Sequence, residues 1–293
     1  MPTDPILTIG MFIHNEETFL EQSINSILNQ THTDFVLQIS DNASTDASQD
    51  ICNKFAEQDS RVKYHRHETN VGAIVSANWL LEHYESDFFI FAGGHDLWKP
   101  EYLSHCLDLM QKDDSIVLAY SKAILIDSKG SEQGIMPGGV DTRNCGKLQS
   151  FSRVLWKMQN GNAILGLTRG TALKKVTPIP MSISPDMIQL SKLSLLGSIA
   201  HIEDPLWCRR ETREQESAPE LIKRHIVFFR LAQKKPSVLW AYLKLLWAHL
   251  RSVPKEFKNP LLGPCLAFIV LLRYFVVLPY RWKVKKHRPV RSE

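Results

Sequence analysis

Polar side chains follow four apolar segments in the first hundred residues, and each group comes just after a predicted β-strand. The segments read TIGMFIHNEE, LQISDNASTD, HETNVG and FIFAGGHDLW. They carry carboxylate, amide and imidazole groups, which form hydrogen bonds with ligands and coordinate divalent cations. In an open parallel sheet, ligands bind outside the carboxyl ends of the strands. The four groups therefore predict one ligand-binding site.

The elements that must position this site alternate between strands and helices. Residues 6–13 form a nearly unbroken apolar run, as expected for a strand buried on both faces. Further strands are predicted at 35–39, 62–65 and 88–91, and helices are predicted after Asn15, from Ser44 and over 73–83. This alternation with short loops predicts an α/β fold with a doubly wound, mostly parallel sheet.

Together, the four segments resemble the nucleotide-sugar half of a family 2 glycosyltransferase with the GT-A fold. The resemblance covers about residues 1–215 and is closest in 5–125. It implies a glycosyltransferase domain over 1–215, with a nucleotide-binding half in 1–125 and an acceptor half in 126–215. A helical tail over 216–293 lies outside the resemblance.

The resemblance places a nucleoside against the first two predicted strands. It assigns hydrogen bonding to the nucleoside to Asp41, within the sequence SDN, and it places Ile13, Asn15 and Glu16 along the same pocket. A plain turn residue is the alternative for Asp41. Asn15 is equally consistent with a cap on the following helix.

The sequence Asn70-Val71-Gly72 matches the N-x-G signature of the family. The resemblance places Asn70 and Gly72 in the donor site, where a glycine lets the backbone approach the donor closely.

The family's metal motif, DXD or its DDD extension, is altered here to Gly93-Gly94-His95-Asp96, so only the last aspartate is kept. A diphosphate leaving group needs charge neutralisation, which Mg²⁺ or Mn²⁺ usually supplies. Asp96 is the predicted metal ligand, and His95 either adds a nitrogen ligand or contacts the donor directly. An inactive, degenerate site is the alternative.

An inverting transfer needs a general base that deprotonates the acceptor hydroxyl. In the family, an aspartate at the start of a helix in the second half has this role, and Asp186 in SISPDMIQLSKLSLLG matches that position. Glu203 and Asp204 form a literal ED pair, but they follow the next predicted strand. Arg210, with its neighbour Arg209, is expected to bind the diphosphate or to pair with acidic residues of the domain.

Between these motifs the pattern is less regular. A hairpin is predicted around the turn DSKG, a strand around 163–168 and a helix around 186–196. Five cysteines without close spacing favour a reducing compartment, and the start MPTDPILTIG does not resemble a signal peptide.

The net charge of +4 hides an uneven distribution. Residues 221–293 hold 16 Lys and Arg against two acidic residues, so the preceding part carries an acidic excess. A basic, apolar tail indicates an anionic surface as partner, and its many Leu, Val and Phe residues argue against nucleic acid.

Residues 261–280 are long enough to span a bilayer. However, Arg273 near the middle costs about 2.5–3.5 kcal/mol on insertion scales, and both flanks are basic. The pattern favours an interfacial or re-entrant segment on the cytoplasmic face of the inner membrane. A single span and ordinary packed helices remain the alternatives.

These observations predict an inverting, divalent-cation-assisted glycosyltransferase. Its donor would be a nucleotide sugar, its acceptor a glycan or a lipid-linked glycan, and its setting cell-surface polysaccharide biosynthesis. The alternative is a catalytically silent protein that binds nucleotide sugars on the same fold. A transferase in which His95 and the arginines replace the metal is a further alternative.

Overall fold

A computed structural model describes residues 6–158, 161–182, 184–211, 243, 246, 247, 250 and 262–272. The strands are β1 Leu7–Ile13, β2 Phe35–Asp41, β3 Val62–Arg66, β4 Phe88–Ala92, β5 Leu97–Trp98, β6 Ile116–Ile126, β7 Glu132–Ile135, β8 Leu167–Arg169 and β9 Ser198–Arg210. The helices are α1 Leu20–Leu28, α2 Ser48–Gln58, α3 Ala73–Glu82, α4 Tyr102–Lys112, α5 Lys147–Lys157, α6 Gly170–Val176, α7 Pro185–Leu196 and α8 Leu262–Leu272, with a 3₁₀ turn at Gly161–Leu165.

The described strands form one sheet in the order β3-β2-β1-β4-β8-β6-β9-β5, with β7 paired to β6. The first four strands in this order are parallel, so the ends of β1, β2 and β4 share one edge. β8 joins β4 and β6 in antiparallel pairs, whereas β6 and β9 are parallel. The sheet is therefore parallel in the first half of the chain and mixed in the second.

Helices cover both faces of the sheet, and β4 shows how the two cores divide. Phe88 and Ile90 belong to the core beneath α1, α2 and α4. Phe89 and Phe91 belong to the core beneath α3, α5, α6 and α7. This alternation buries apolar side chains on both faces, which explains the unbroken apolar run of the strand.

Most predicted elements are present, and the predicted α/β fold class is confirmed. One difference is the start of α2, which lies at Ser48 rather than Ser44. The Ser44 hydroxyl instead donates to Asp41 Oδ1 at 2.6 Å, and this bond favours a turn over a helix there. Another difference lies around 163–168, where a 3₁₀ turn precedes the short strand β8.

A third cluster of buried residues lies beside α5 and α7. It contains Leu266 and Val270 of α8, Leu246, and three residues of α5 and α7, namely Phe151, Leu155 and Leu195. The predicted boundary at 215/216 and most of the predicted tail, including Arg273, lie outside the described residues. Among the described residues, no helix has the length and apolar character needed to cross a membrane.

Candidate active site

The loops that follow β1 and β2 hold each other in place. Asn15 Oδ1 accepts a hydrogen bond from the Thr45 amide at 2.8 Å, and the Asn15 amide donates to Ser44 Oγ at 2.9 Å. Asn15 has a φ of 56°, in the left-handed region that asparagine tolerates better than most residues. Its side chain does not cap α1, because that helix begins only at Leu20.

A second pair of contacts joins the same two loops. The Glu17 amide donates to Asp46 Oδ2 at 3.0 Å, while Glu17 Oε2 accepts from the Ala47 amide at 2.8 Å. Burial raises the pKa of Asp46, but hydrogen bonds from Ser48 and Glu17 outweigh it, and the net pKa is lowered. The carboxylates of Glu17 and Asp46 thus hold the two loops together.

Asp41, at the end of β2, is fully buried. Its Oδ1 accepts from Ser44, and its Oδ2 accepts from the Tyr64 hydroxyl at 2.8 Å and lies 3.6 Å from Arg66 Nε. Both oxygens therefore have partners within the protein. Asp41 supports the loop after β2 in this structure, and its contact with a nucleoside stays a prediction.

The N-x-G segment is tied to the loop after β2. Asn70 Oδ1 accepts from Asn42 Nδ2 and from the Gly72 amide, both at 3.1 Å, while Asn70 Nδ2 lies 3.1 Å from His14 Nε2. Gly72 precedes α3 with a φ of 91°, which residues with a Cβ rarely adopt. Asn70 and Gly72 thus stand beside the ends of β1 and β2, as predicted.

His95 lies between two carboxylates. Its Nδ1 is 3.2 Å from both oxygens of Glu16, and its Nε2 is 3.9 Å from Asp96 Oδ1. The structure therefore brings together Glu16 from the loop after β1 with His95 and Asp96 from the loop after β4.

Asp96 is buried, with 4% of its surface exposed. Its Oδ1 accepts from the Arg210 amide at 2.9 Å. Burial raises the pKa of Asp96, and His95 and the Arg210 amide offset part of that rise. A Cβ at Gly93 would lie 3.1 Å from Asp96 Oδ2, so the glycine keeps space open beside this oxygen.

Arg210 is also buried, and its guanidinium is bonded within the protein. Nε donates to the His95 carbonyl at 2.9 Å, Nη1 to the Asp127 carbonyl at 3.1 Å and Nη2 to Gln22 Oε1 at 3.1 Å. The guanidinium also lies over the Phe19 ring, 4.4 Å from its centroid. This environment holds the metal-motif loop against β9, and the predicted contact of Arg210 with diphosphate stays a prediction.

Ile13 ends β1 beneath these loops. It is buried, and its carbonyl accepts from the Asn42 amide at 2.9 Å. A Cβ at Gly94 would lie 2.9 Å from Ile13 Cγ2, so the chain of the metal motif passes close above Ile13. The backbone at the end of β1 thus forms the floor of the site.

Asp186 lies in the first turn of α7 and is half-buried. Its carboxylate packs against Gly161, where a Cβ would overlap Asp186 Oδ2. The next residue, Asn162, accepts a hydrogen bond from Arg209 Nη1 at 2.9 Å through its Oδ1. The 3₁₀ turn therefore links Asp186, the predicted base, to β9. The Arg210 amide at the end of β9 donates to Asp96.

The alternative ED pair has a different setting. Glu203 and Asp204 are exposed within β9. Glu203 pairs with Lys122 and with His201 Nδ1, which lowers the pKa of Glu203. A pKa held low by the Lys122 ammonium and the hydrogen bond from His201 makes Glu203 a weak proton acceptor, which favours Asp186 as the base.

A comparison with protein families matches residues 8–155 to the model described as "Glycosyl transferase family 2". This match covers half of the chain and includes every site segment up to Asp96. The chain belongs to glycosyl transferase family 2.

A curated relative agrees with that assignment, and two solved structures share the fold of the chain. The putative teichuronic acid biosynthesis glycosyltransferase TuaG of Bacillus subtilis is 29% identical over 108 residues, which are 37% of this chain and 43% of TuaG. The aligned part thus spans less than half of that relative. S. aureus TarS 1-349 in complex with UDP-GlcNAc superposes with a TM-score of 0.69 at 17% identity, over 96% of this chain and 76% of TarS.

A second solved structure is the mannosyltransferase PcManGT from Pyrobaculum calidifontis, in complex with GDP-Man and Mn²⁺. Its TM-score is 0.55 at 14% identity, and the match covers 97% of this chain and 85% of that one. At these identities, both superpositions show the fold, which is that of GT-A glycosyltransferases.

Family 2 enzymes of the GT-A fold typically use a divalent cation, and the side chains around Asp96 decide whether one fits here. Within the described ranges, no three His, Cys, Asp or Glu side chains are grouped to hold a metal ion. Asp96 and His95 nevertheless offer an oxygen and a nitrogen donor side by side, a set that suits Mn²⁺. Two protein ligands fit a cation whose other ligands are diphosphate oxygens and water.

Several supporting residues escaped the sequence analysis. Tyr64 and Arg66 reach Asp41 from β3, and their i, i+2 spacing on a strand was a usable signal. Asn162 and Gln22 reach Arg209 and Arg210 from remote loops and helices, and no local pattern marks them.

Proposed function

We propose that this family 2 chain transfers a sugar, with inversion, from a nucleotide-diphosphate donor to a glycan or lipid-linked acceptor. The observation that carries the proposal is the meeting of Glu16, His95 and Asp96 at the shared end of β1 and β4. Asn70 contacts His14 in the same loop as Glu16. A donor in this position would face a buried carboxylate and an imidazole, which suit a cation-bound diphosphate.

Different residues of this chain would bind the cation, line the donor pocket and accept the proton. Asp96 and His95 would hold a divalent cation, which neutralises charge on the leaving diphosphate. Asn70, Gly72 and the backbone at Ile13 and Asn15 would line the donor pocket. Asp186 would accept the proton of the acceptor hydroxyl as the sugar bond forms, and the nucleoside diphosphate would leave on the opposite face.

The setting we propose is cell-surface polysaccharide biosynthesis at the cytoplasmic face of the inner membrane. The similarity to TuaG, a putative teichuronic acid biosynthesis glycosyltransferase, supports this setting. The basic residues of 221–293 support an anionic membrane surface as partner. Exposed apolar side chains among the described tail residues, Leu243, Trp247, Phe268 and Leu271, support the same partner.

The test is donor turnover by the full chain. Purified protein is incubated with UDP-, dTDP- and GDP-sugars and a membrane lipid extract, with and without Mn²⁺, and release of nucleoside diphosphate is measured. Release that requires Mn²⁺ and is lost in Asp96→Ala and Asp186→Asn is expected. Metal-independent release would instead support a transferase that relies on His95 and arginine.

A second candidate is a catalytically silent nucleotide-sugar-binding protein. The observation that favours it is the replacement of metal-motif carboxylates by Gly94 and His95. This candidate predicts donor binding without nucleoside diphosphate release across the acceptor set, and no change in Asp186→Asn.

A further inference from the structure

Glu16 contacts His95 in a way that fixes the orientation of the imidazole ring. Both carboxylate oxygens of Glu16 lie 3.2 Å from His95 Nδ1, so the hydrogen-bond network assigns a proton to Nδ1. The opposite ring nitrogen, Nε2, then lies on the side of Asp96, 3.9 Å from its Oδ1. The order of groups is carboxylate, imidazole, carboxylate.

We propose that Glu16 is a positioning residue that orients His95 as a nitrogen ligand beside Asp96. The inference rests on the proposed function, because the cation is the one that accompanies the donor diphosphate. A carboxylate that accepts the second ring N–H of a metal-binding histidine fixes its tautomer and raises its basicity. Glu16 would give this support from a different loop of the protein.

Gly94 of the altered motif explains why Glu16 can reach His95. A Cβ at Gly94 would lie 3.2 Å from Glu16 Cγ and 2.9 Å from Ile13 Cγ2. A side chain at position 94 would therefore push Glu16 out of its place. The Glu16 amide is itself anchored, since it donates to Ser48 Oγ at 2.9 Å. Gly94 thus leaves the space that the Glu16 side chain occupies beside His95.

This arrangement has a consequence for the choice of cation. A site that combines an imidazole nitrogen with one carboxylate favours Mn²⁺ over Mg²⁺, which prefers oxygen ligands. The cation bound with nucleoside diphosphate should therefore be Mn²⁺ in direct competition with Mg²⁺.

The experiment measures Mn²⁺ binding to the full chain in the presence of UDP and, in parallel, GDP, by electron paramagnetic resonance. Pulsed spectra also report whether a ¹⁴N nucleus of histidine is bound to the Mn²⁺. The variants are Glu16→Gln, Glu16→Asp, His95→Gln and Gly94→Ala. Glu21→Gln is the matched control, because Glu21 is exposed and forms a surface ion pair with Lys54.

The expected result is a ¹⁴N signal in the wild-type protein that disappears in His95→Gln. Glu16→Gln should weaken Mn²⁺ binding by about 10–100-fold, the usual effect of losing such a partner. Gly94→Ala should also weaken Mn²⁺ binding. Glu16→Asp should keep part of the Mn²⁺ affinity that Glu16→Gln loses, and Glu21→Gln should leave the Mn²⁺ affinity unchanged. The loss of UDP affinity in Glu16→Gln should be larger with Mn²⁺ present than without it.

Three outcomes would overturn the inference. Mn²⁺ binding with UDP but no ¹⁴N signal in the wild-type protein would remove His95 as a ligand. An unchanged Mn²⁺ affinity in Glu16→Gln would remove Glu16 from the arrangement. A loss of UDP affinity in Glu16→Gln that is equal with and without Mn²⁺ would make Glu16 a nucleotide contact instead. In all three, the proposed transferase function would survive, because donor turnover tests it separately. Absence of any Mn²⁺ binding with either nucleotide would remove the inference together with the cation-assisted form of the proposed function.

Discussion

The backbone amide of Arg210 donates to Asp96 Oδ1 at 2.9 Å and joins residues 114 positions apart. Asp96 closes the metal motif after β4, and Arg210 ends β9 in the second half of the chain. The geometry of the proposed donor site therefore depends on a strand that follows the proposed base, Asp186, in sequence.

Arg210→Lys should destabilise the protein. Lysine retains the charge but cannot reproduce the fork that reaches the carbonyls of His95 and Asp127. We expect a loss of about 2–4 kcal/mol in the free energy of unfolding, measured by urea denaturation. Arg209→Lys, at a half-exposed position, serves as the control. Unchanged stability with lost donor affinity would instead mark Arg210 as a diphosphate ligand.

Gly161→Ala should reduce turnover through Asp186. The added Cβ would overlap Asp186 Oδ2, so the carboxylate must leave its position. We expect kcat to fall by at least about tenfold, in the direction of Asp186→Asn, while the Kd for the donor nucleotide is retained. On the same preparations, steady-state kinetics measure kcat and calorimetry measures the Kd for the donor nucleotide. A drop in donor affinity equal to the drop in kcat would show that the 3₁₀ turn supports the nucleotide instead.

Gly72→Ala should cost stability and donor affinity together. At a φ of 91°, a Cβ strains the backbone by about 1–3 kcal/mol. Gly146→Ala is a matched control, since Gly146 also precedes a helix but has a φ of −67° and no atom within 4 Å of an added Cβ. Thermal unfolding and nucleotide titration provide the readouts. Equal melting temperatures for the two variants would contradict the assigned strain.

Stability should fall below about pH 6.5. Burial is the main cause that lowers the pKa values of His65, His67 and His201 from 6.5, so the unfolded chain takes up protons first as the pH falls. The contribution is complete above pH 6.5 and is lost as the pH drops toward the folded-state pKa values. Urea midpoints from pH 8 to pH 5.5 measure the slope, and His67→Gln should flatten it. A pH-independent midpoint in the wild-type protein would refute this assignment.

Replacing Trp247 and Phe268 by Ser should weaken binding to anionic vesicles. Their side chains are 58% and 61% exposed, and burial of one such side chain in an interface contributes about 1.5–3 kcal/mol. We expect at least about a tenfold loss of affinity for phosphatidylglycerol vesicles in sedimentation assays. Ile135→Ser, at an equally exposed site on β7, is the control. Equal losses in all variants would argue against a membrane contact through the tail.

The sequence alone was sufficient for the fold of the first half. Each strand there is a short apolar run followed by polar residues, and burial on both faces produces that pattern directly. The positions of Asn70, His95 and Asp96 followed from the same logic, because parallel strands end at one edge.

The second half was harder to predict for a physical reason. β8 spans three residues, and its pairing with β4 and β6 depends on long-range contacts rather than local preference. The internal partners of Asp41 and Arg210 were not predictable either, since a carboxylate or guanidinium has the same local sequence whether it faces a ligand or the protein. Only the contacts of Tyr64 and Gln22 distinguish the two cases.

The reciprocal contacts between the loops after β1 and β2 limit how this protein can change over evolution. Asn15 depends on Thr45, and Glu17 and Asp46 each satisfy a backbone group of the opposite loop. A substitution in one loop leaves an unpaired amide in the other, so the two segments should vary jointly among homologues. Exchange of donor preference between family members would then require both loops to be transplanted as a unit.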